Sequence, residues 1–152
     1  MAVNVLRRAR TLALQALYEA DSSRHPADVI KRRSLADNPM SADGEAVFRD
    51  LVDGVLEHRD ELDDSIRKHA AAYPVDQLSI VDRNVLRIAI YEILMNNETP
   101  PKVAVNEAVE LAKLFGSQDI HKFINGVLGA VMKSAPPDRR SQSPGGNSGD
   151  RL

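Results

Sequence analysis

The run Ile80–Met95, IVDRNVLRIAIYEILM, constrains this chain more than any other stretch. On a 3.6-residue period, Val81, Val85, Leu86, Ile88, Ala89, Ile90, Tyr91, Ile93 and Leu94 leave almost no side of the helix wholly polar. Such a helix has to be contacted from several directions, so the rest of the chain must wrap it. Ser79 ahead of the run and Asp82 three residues later approximate a capping box, with Asp in place of Glu or Gln, and set an acid at the positive end of the backbone dipole. At ~1.5 Å rise per residue the run is short for a bilayer, and it carries Asp82, Arg83, Arg87 and Glu92, so no membrane span is expected.

The flanking sequence supplies the wrapping helices. Apolar spacing at Leu6, Ala9, Ala13, Ala16, Leu17 and Ala20 predicts an amphipathic helix over about residues 4–20. Its polar flank carries Arg7, Thr11, Gln15 and Tyr18, which fits either a nucleic-acid surface, with Arg on phosphate and a ring on a base, or an ordinary solvated edge. Pro26, read as a first helical residue, opens a shorter helix to about Ala36 that shows Lys31, Arg32 and Arg33, and Asn38-Pro39 ends it. Ser41 is an N-cap for a helix with Ala46, Val47, Leu51, Val55 and Leu56 at helical spacing, ending near His58. A further helix over about Asp60–Ala71 begins with Asp60, Glu61, Asp63 and Asp64, acids that suit a helix start better than a catalytic pair.

After the central run, Pro100-Pro101 marks a turn. The stripe Val105, Ala108, Val109, Ala112 and Phe115 then predicts a helix that Gly116 ends in the left-handed conformation, and Ser117 caps the next. That last helix, to about Met132, buries Ile120, Ile124, Val127 and Val131, with Phe123 at the stripe's edge beside Lys122. Gly126 and Gly129 in it predict close packing against a neighbour. From Ser134 onward, Pro136-Pro137 and Pro144-Gly145-Gly146 read as a disordered tail over 134–152. No segment alternates as a strand, so the expected fold is all-α with about seven helices.

Composition narrows the function. The 152 residues include no cysteine, which excludes disulfides and thiolate metal sites and leads us to expect a cytoplasmic protein without a secretory signal. The net charge of −2 hides an asymmetry: residues 1–33 carry seven bases against three acids, and residues 34–133 ten against seventeen. That split fits one face for an anionic partner and another for a basic one, or else a solvated helix surface. His25, His58, His69 and His121 are scattered rather than set at ligand spacing, and no phosphate loop or nucleophile elbow is present. A binding protein without enzymatic activity or cofactor is the expectation.

Four blocks in fixed order carry a family resemblance: RRARTLALQALYEAD at Arg7–Asp21, VDRNVLRIAIYEIL at Val81–Leu94, PPKVAVNEAVELAKLFG at Pro100–Gly116 and HKFINGVLGAV at His121–Val131. Together they resemble the NusB family of bacterial transcription antitermination factors, with the likeness running nearly from the N-terminus to Met132. The resemblance implies two packed helical subdomains, about 1–75 and 76–133, forming one RNA-binding domain. It also implies an adaptor that pairs with the ribosomal protein NusE and binds boxA-type single-stranded RNA of ribosomal RNA transcripts. Other Nus factors and the RNA polymerase elongation complex are its wider partners. By position, RNA contacts fall on Arg7, Arg8, Arg10, Phe115, Asp119, Lys122 and Phe123, and partner contacts on Tyr18, Asp76 and Asp82. The acids have local alternatives: Asp119 accepts bonds from bases or favours its own helix start, and Asp82 is a partner contact or a cap. Leu6 stands where the family's arginine run often begins, which predicts weaker RNA affinity than in a more basic relative.

Two other readings stay open. The same helical domain stands at the front of RNA cytosine methyltransferases of the RsmB type, which need a large nucleotide-binding domain where this sequence has a Pro/Gly/Ser-rich tail. A protein-only scaffold that has lost RNA recognition is the other, kept alive by the thin basic start.

Overall fold

In the computed structural model, which describes residues 3–70, 73–96 and 98–135, seven α-helices follow one another: α1 (Val3–Ser22), α2 (Ala27–Asp37), α3 (Ala42–Glu57), α4 (Arg59–His69), α5 (Ile80–Leu94), α6 (Pro101–Phe115) and α7 (Ile120–Ser134). A 3-10 turn, Val75–Gln77, connects α4 to α5. No strand occurs among the described residues. The expected tail falls mostly on 136–152, outside the described residues, but its start moves: Ser134 still belongs to α7 and Ala135 is buried.

Helix α5 is central as its pattern predicts. It packs against α1, α3, α4, α6 and α7, and every residue from Asn84 to Ile93 is buried. Around it close Leu17, Phe48, Leu51, Leu62, Ile66, Ile124 and Leu128, all at most 1% exposed. Helix α2 lies against α1 and contributes one buried residue, Ile30.

Caps decide where several helices begin. The Ser79 hydroxyl accepts from the Asp82 amide at 3.0 Å, and that of Ser41 from Gly44 at 3.2 Å. Helix α4 has Asp60 and Glu61 in its first turn and Arg67, Lys68 and His69 in its last, so both ends complement the dipole. Elsewhere the structure corrects the local signals. Pro26 sits at the N-cap of α2, one residue ahead of the helix. Gly116 is extended, at φ −82° and ψ 179°, and the left-handed residue is Asp119, at φ 61°. Ser117 does not cap α7: its amide and hydroxyl donate to the Asp82 carboxylate at 3.2 and 2.5 Å.

Close approach picks out different glycines from those expected. A Cβ at Gly126 or Gly129 would meet nothing within 4 Å, so neither brings a neighbour near. At Gly54 it would collide with the Tyr91 ring, whose hydroxyl donates to Asp50 at 2.7 Å, and at Gly116 it would lie 2.8 Å from Asp82 Oδ1. Glycine is needed where α3 meets α5 and where the α6–α7 connection crosses the start of α5.

The charges of α5 are tied to residues far away in sequence. Arg83 Nε and Nη2 donate to Asp21 at 2.8 and 2.9 Å, and Asn84 Nδ2 donates to it at 3.0 Å. Arg87 donates to Asp21 at 3.0 Å and to both oxygens of Asp63 at 2.7 and 2.9 Å. Asp63, grouped with the helix-start acids by its position, is therefore a buried ion-pair partner. These bonds knit α1, α4 and α5 together, and no buried side-chain nitrogen or oxygen among the described residues lacks a hydrogen-bond partner.

Candidate nucleic-acid and partner interface

Three helices form an open groove: Arg7 from α1, Asn106, Glu107, Val109, Glu110 and Lys113 from α6, and His121, Lys122 and Asn125 from α7. Arg7 and Lys122, which lie in distant blocks of sequence, thus share one surface. The signal for its α6 wall was present: Asn106, Val109, Glu110 and Lys113 recur every three or four residues on the side opposite the buried Ala104, Ala108 and Leu111.

Arg7 is not free in this groove. Its Nε and Nη2 donate to the two carboxylate oxygens of Glu107 at 3.1 and 2.9 Å. That bond raises the Arg7 pKa and lowers that of Glu107, so both are charged. Lys113 Nζ lies 3.4 Å from Glu110. Lys122 makes no salt bridge among the described residues and is exposed. Arg8, also exposed, points elsewhere and donates to the Pro39 carbonyl at 2.9 Å.

Arg10 is placed where a phosphate does not reach it. It is 4% exposed and donates to both oxygens of Glu92, itself 2% exposed, at 3.0 and 2.8 Å. Burial works against its charge, but the Glu92 bonds outweigh burial and its pKa is raised. One turn of helix separates the outward Arg7 from the inward Arg10, and the apolar stripe of α1 gave no sign that an arginine belongs to the core.

The aromatic residues lie at the neighbouring ends of α6 and α7. Phe115 is 44% exposed beside Leu114 at 68%. Phe123 is half-buried and packs against Tyr73, with ring centroids 4.9 Å apart and planes at 57°. Tyr73, 45% exposed on the connection between α4 and α5, is a further ring available for stacking, one that no sequence motif singled out. Asp119 is exposed, and its carboxylate makes no capping bond.

Tyr18, 44% exposed, lies on the same side of α1 as Arg7, eleven residues and ~16 Å along the axis. One turn beyond it is Asp21, the acceptor of Arg83. The Arg83 pKa is raised first by that bond and in smaller part by the charge of Asp76, which is exposed on the 3-10 turn. Tyr18 and Asp76 thus flank one ion-paired region. Asp82 does not join them at the surface, because it is 2% exposed and holds Ser117. Its carboxylate ties the α6–α7 connection to α5, a third role beside those of cap and contact.

No cluster of His, Cys, Asp and Glu among the described residues could hold a metal ion, and no described helix is long and apolar enough to cross a membrane. The NusB family model matches residues 7–133. The transcription antitermination protein NusB of Dehalococcoides mccartyi (strain CBDB1) is 52% identical over 129 residues, covering 84% of this chain and 90% of that protein. Among solved structures, T. maritima NusB is similar at a TM-score of 0.81 and 32% identity, over 88% of this chain and 95% of that one. A chain from a crystal structure of antitermination factors NusB and NusE in complex with dsRNA is similar at 0.78 and 28%, over 87% and 98%.

Proposed function

This chain belongs to the NusB family, and from that membership we propose that it acts in transcription antitermination as an RNA-binding adaptor with no chemistry of its own. It pairs with the ribosomal protein NusE and holds boxA-type single-stranded RNA, delivering the pair to the RNA polymerase elongation complex. The observation that carries this reading is the groove in which Arg7 and Lys122 meet beside Lys113, His121 and Asn125. Cations there position a strand through its phosphates, the asparagines and histidine offer donors and acceptors to base edges, and Phe115, Phe123 and Tyr73 offer rings to unstacked bases. Asp119, exposed and without a capping bond, is suited to accept from a base. NusE is assigned to the surface of Tyr18 and Asp76, with Asp82 acting from beneath by holding the α6–α7 connection.

The test is a titration of boxA RNA with the protein alone and with NusE at two salt concentrations. Enhancement by NusE, together with a salt slope that falls by about 0.7 for each phosphate contact removed in Arg7→Ala and Lys122→Ala, supports the adaptor. RNA binding that NusE does not enhance, or a slope untouched by both substitutions, overturns it.

A further inference from the structure

Glu107 holds the half-exposed Arg7 guanidinium by both of its oxygens and adds only a lesser charge contribution to the buried Arg10, whose own two bonds go to Glu92. A carboxylate gripping the guanidinium fork presents the same paired oxygens as a phosphate. We propose that Glu107 is an affinity-limiting residue of the RNA interface: it occupies Arg7 as an internal phosphate mimic, so that a strand gains this arginine only by giving up the ion pair. The inference rests on the RNA-binding reading above and concerns how strongly that interface holds phosphate.

The geometry sets up the competition. The Glu107 side chain is 13% exposed and that of Arg7 is 49%, so the carboxylate is held against α6 while the outer side of the guanidinium stays open. Glu110 adds negative charge beside Arg7 and also engages Lys113. Of the three cations lining the groove, two face an acid and Lys122 does not. An arriving strand is therefore met first by Lys122, and a phosphate reaches Arg7 by displacing or sharing the carboxylate. Phosphate attraction carries no sequence information and supplies most non-specific binding. Muting it lowers the affinity for any RNA, whatever its sequence.

The experiment compares boxA RNA with a scrambled strand of equal length, titrated against wild type, Glu107→Gln, Arg7→Ala and the Arg7→Ala/Glu107→Gln pair. Freeing Arg7 is expected to tighten the scrambled strand roughly two- to fivefold, the range of an exposed ion pair. It should steepen the salt slope by about 0.7 and tighten boxA RNA at least as much as the scrambled strand. In the Arg7→Ala background these changes should vanish. Unchanged affinity for the scrambled strand, or a gain that persists without Arg7, refutes the proposal. Should Gln loosen α1 from α6, as melting would show, Glu107→Asp keeps the charge on α6 but withdraws the carboxylate from Arg7. It should tighten the scrambled strand in the same direction, and no tightening counts against the mimic. Wild type that binds no RNA with or without NusE refutes the RNA reading itself, whereas wild-type binding with unaltered affinity and salt slope in the Glu107 variants refutes only the role of Glu107.

Discussion

Replacing Glu92 by leucine should be among the most damaging single changes in this protein, and the reason is Arg10. The two side chains are 2% and 4% exposed and joined by two hydrogen bonds, and the Thr99 hydroxyl donates to Glu92 at 2.8 Å. The Glu92→Leu change would leave a guanidinium in the core without its counter-charge, a loss of about 3–5 kcal/mol for breaking a buried pair from one side. At ~2–4 °C per kcal/mol for a chain of this size, the melting temperature should fall by about 6–20 °C. Arg10→Met paired with Glu92→Leu removes both charges and keeps apolar volume. It should recover most of the loss, since burying the pair already offsets much of its Coulombic gain. Urea unfolding of wild type, Glu92→Leu, Arg10→Met and the double variant gives the coupling directly. The same double variant tests where Arg10 acts: folded, it should bind RNA with the salt slope of wild type. If instead the slope falls by about 0.7, Arg10 meets a phosphate and the reasoning from burial fails.

Gly54→Ala should cost about 1–3 kcal/mol by overpacking, seen as a lower urea midpoint, and Tyr91→Leu should relieve part of it because the added Cβ meets the Tyr91 ring. Restoration by Tyr91→Leu is the deciding result; a cost that Tyr91→Leu does not relieve would mean another contact is at fault. Gly126→Ala, at a helical position where a Cβ meets nothing, should stabilise by about 0.5–1 kcal/mol, and destabilisation in thermal melting would contradict the open space seen there. Burial alone would raise the Asp21 pKa, but hydrogen bonds from Arg83 and Asn84 and the charge of Arg87 outweigh it and hold the carboxyl well below its ordinary 3.8. The unfolded chain therefore binds this proton more readily. The stabilisation is fully present above about pH 4 and is lost as pH falls through 3.8 toward the lower folded value. Asp21→Asn should destabilise by about 3 kcal/mol at neutral pH and flatten the acid limb of a stability–pH profile; an unchanged limb would locate the acid sensitivity elsewhere.

The helices were legible in the linear chain, because helix formation is written in neighbours. Apolar periodicity marked α1, α3, α5, α6 and α7, Pro26 and the acids at Asp60 and Glu61 marked α2 and α4, the Ser41 and Ser79 caps set two of the starts, and the unbroken apolar run of α5 announced that it would be surrounded. The blocks at Arg7–Asp21 and His121–Val131 also carried the family and the residues Arg7 and Lys122, without showing that the two meet. The partner of each charge emerges only once the chain is folded. Arg7 and Arg10 are indistinguishable in a run of arginines, yet one turns outward to Glu107, 100 residues away, and the other inward to Glu92, 82 residues away. Asp82 read as the second half of a capping box until Ser117, 35 residues on, proved to be what its carboxylate holds. Glycines followed the same rule. Gly126 and Gly129 carried the local signal of close packing and have open space, while Gly54 is required by a ring from another helix. Propensity and capping act over one turn and leave a trace in the local sequence. Desolvation, ion pairing and steric contact act between elements that meet only when the chain is folded.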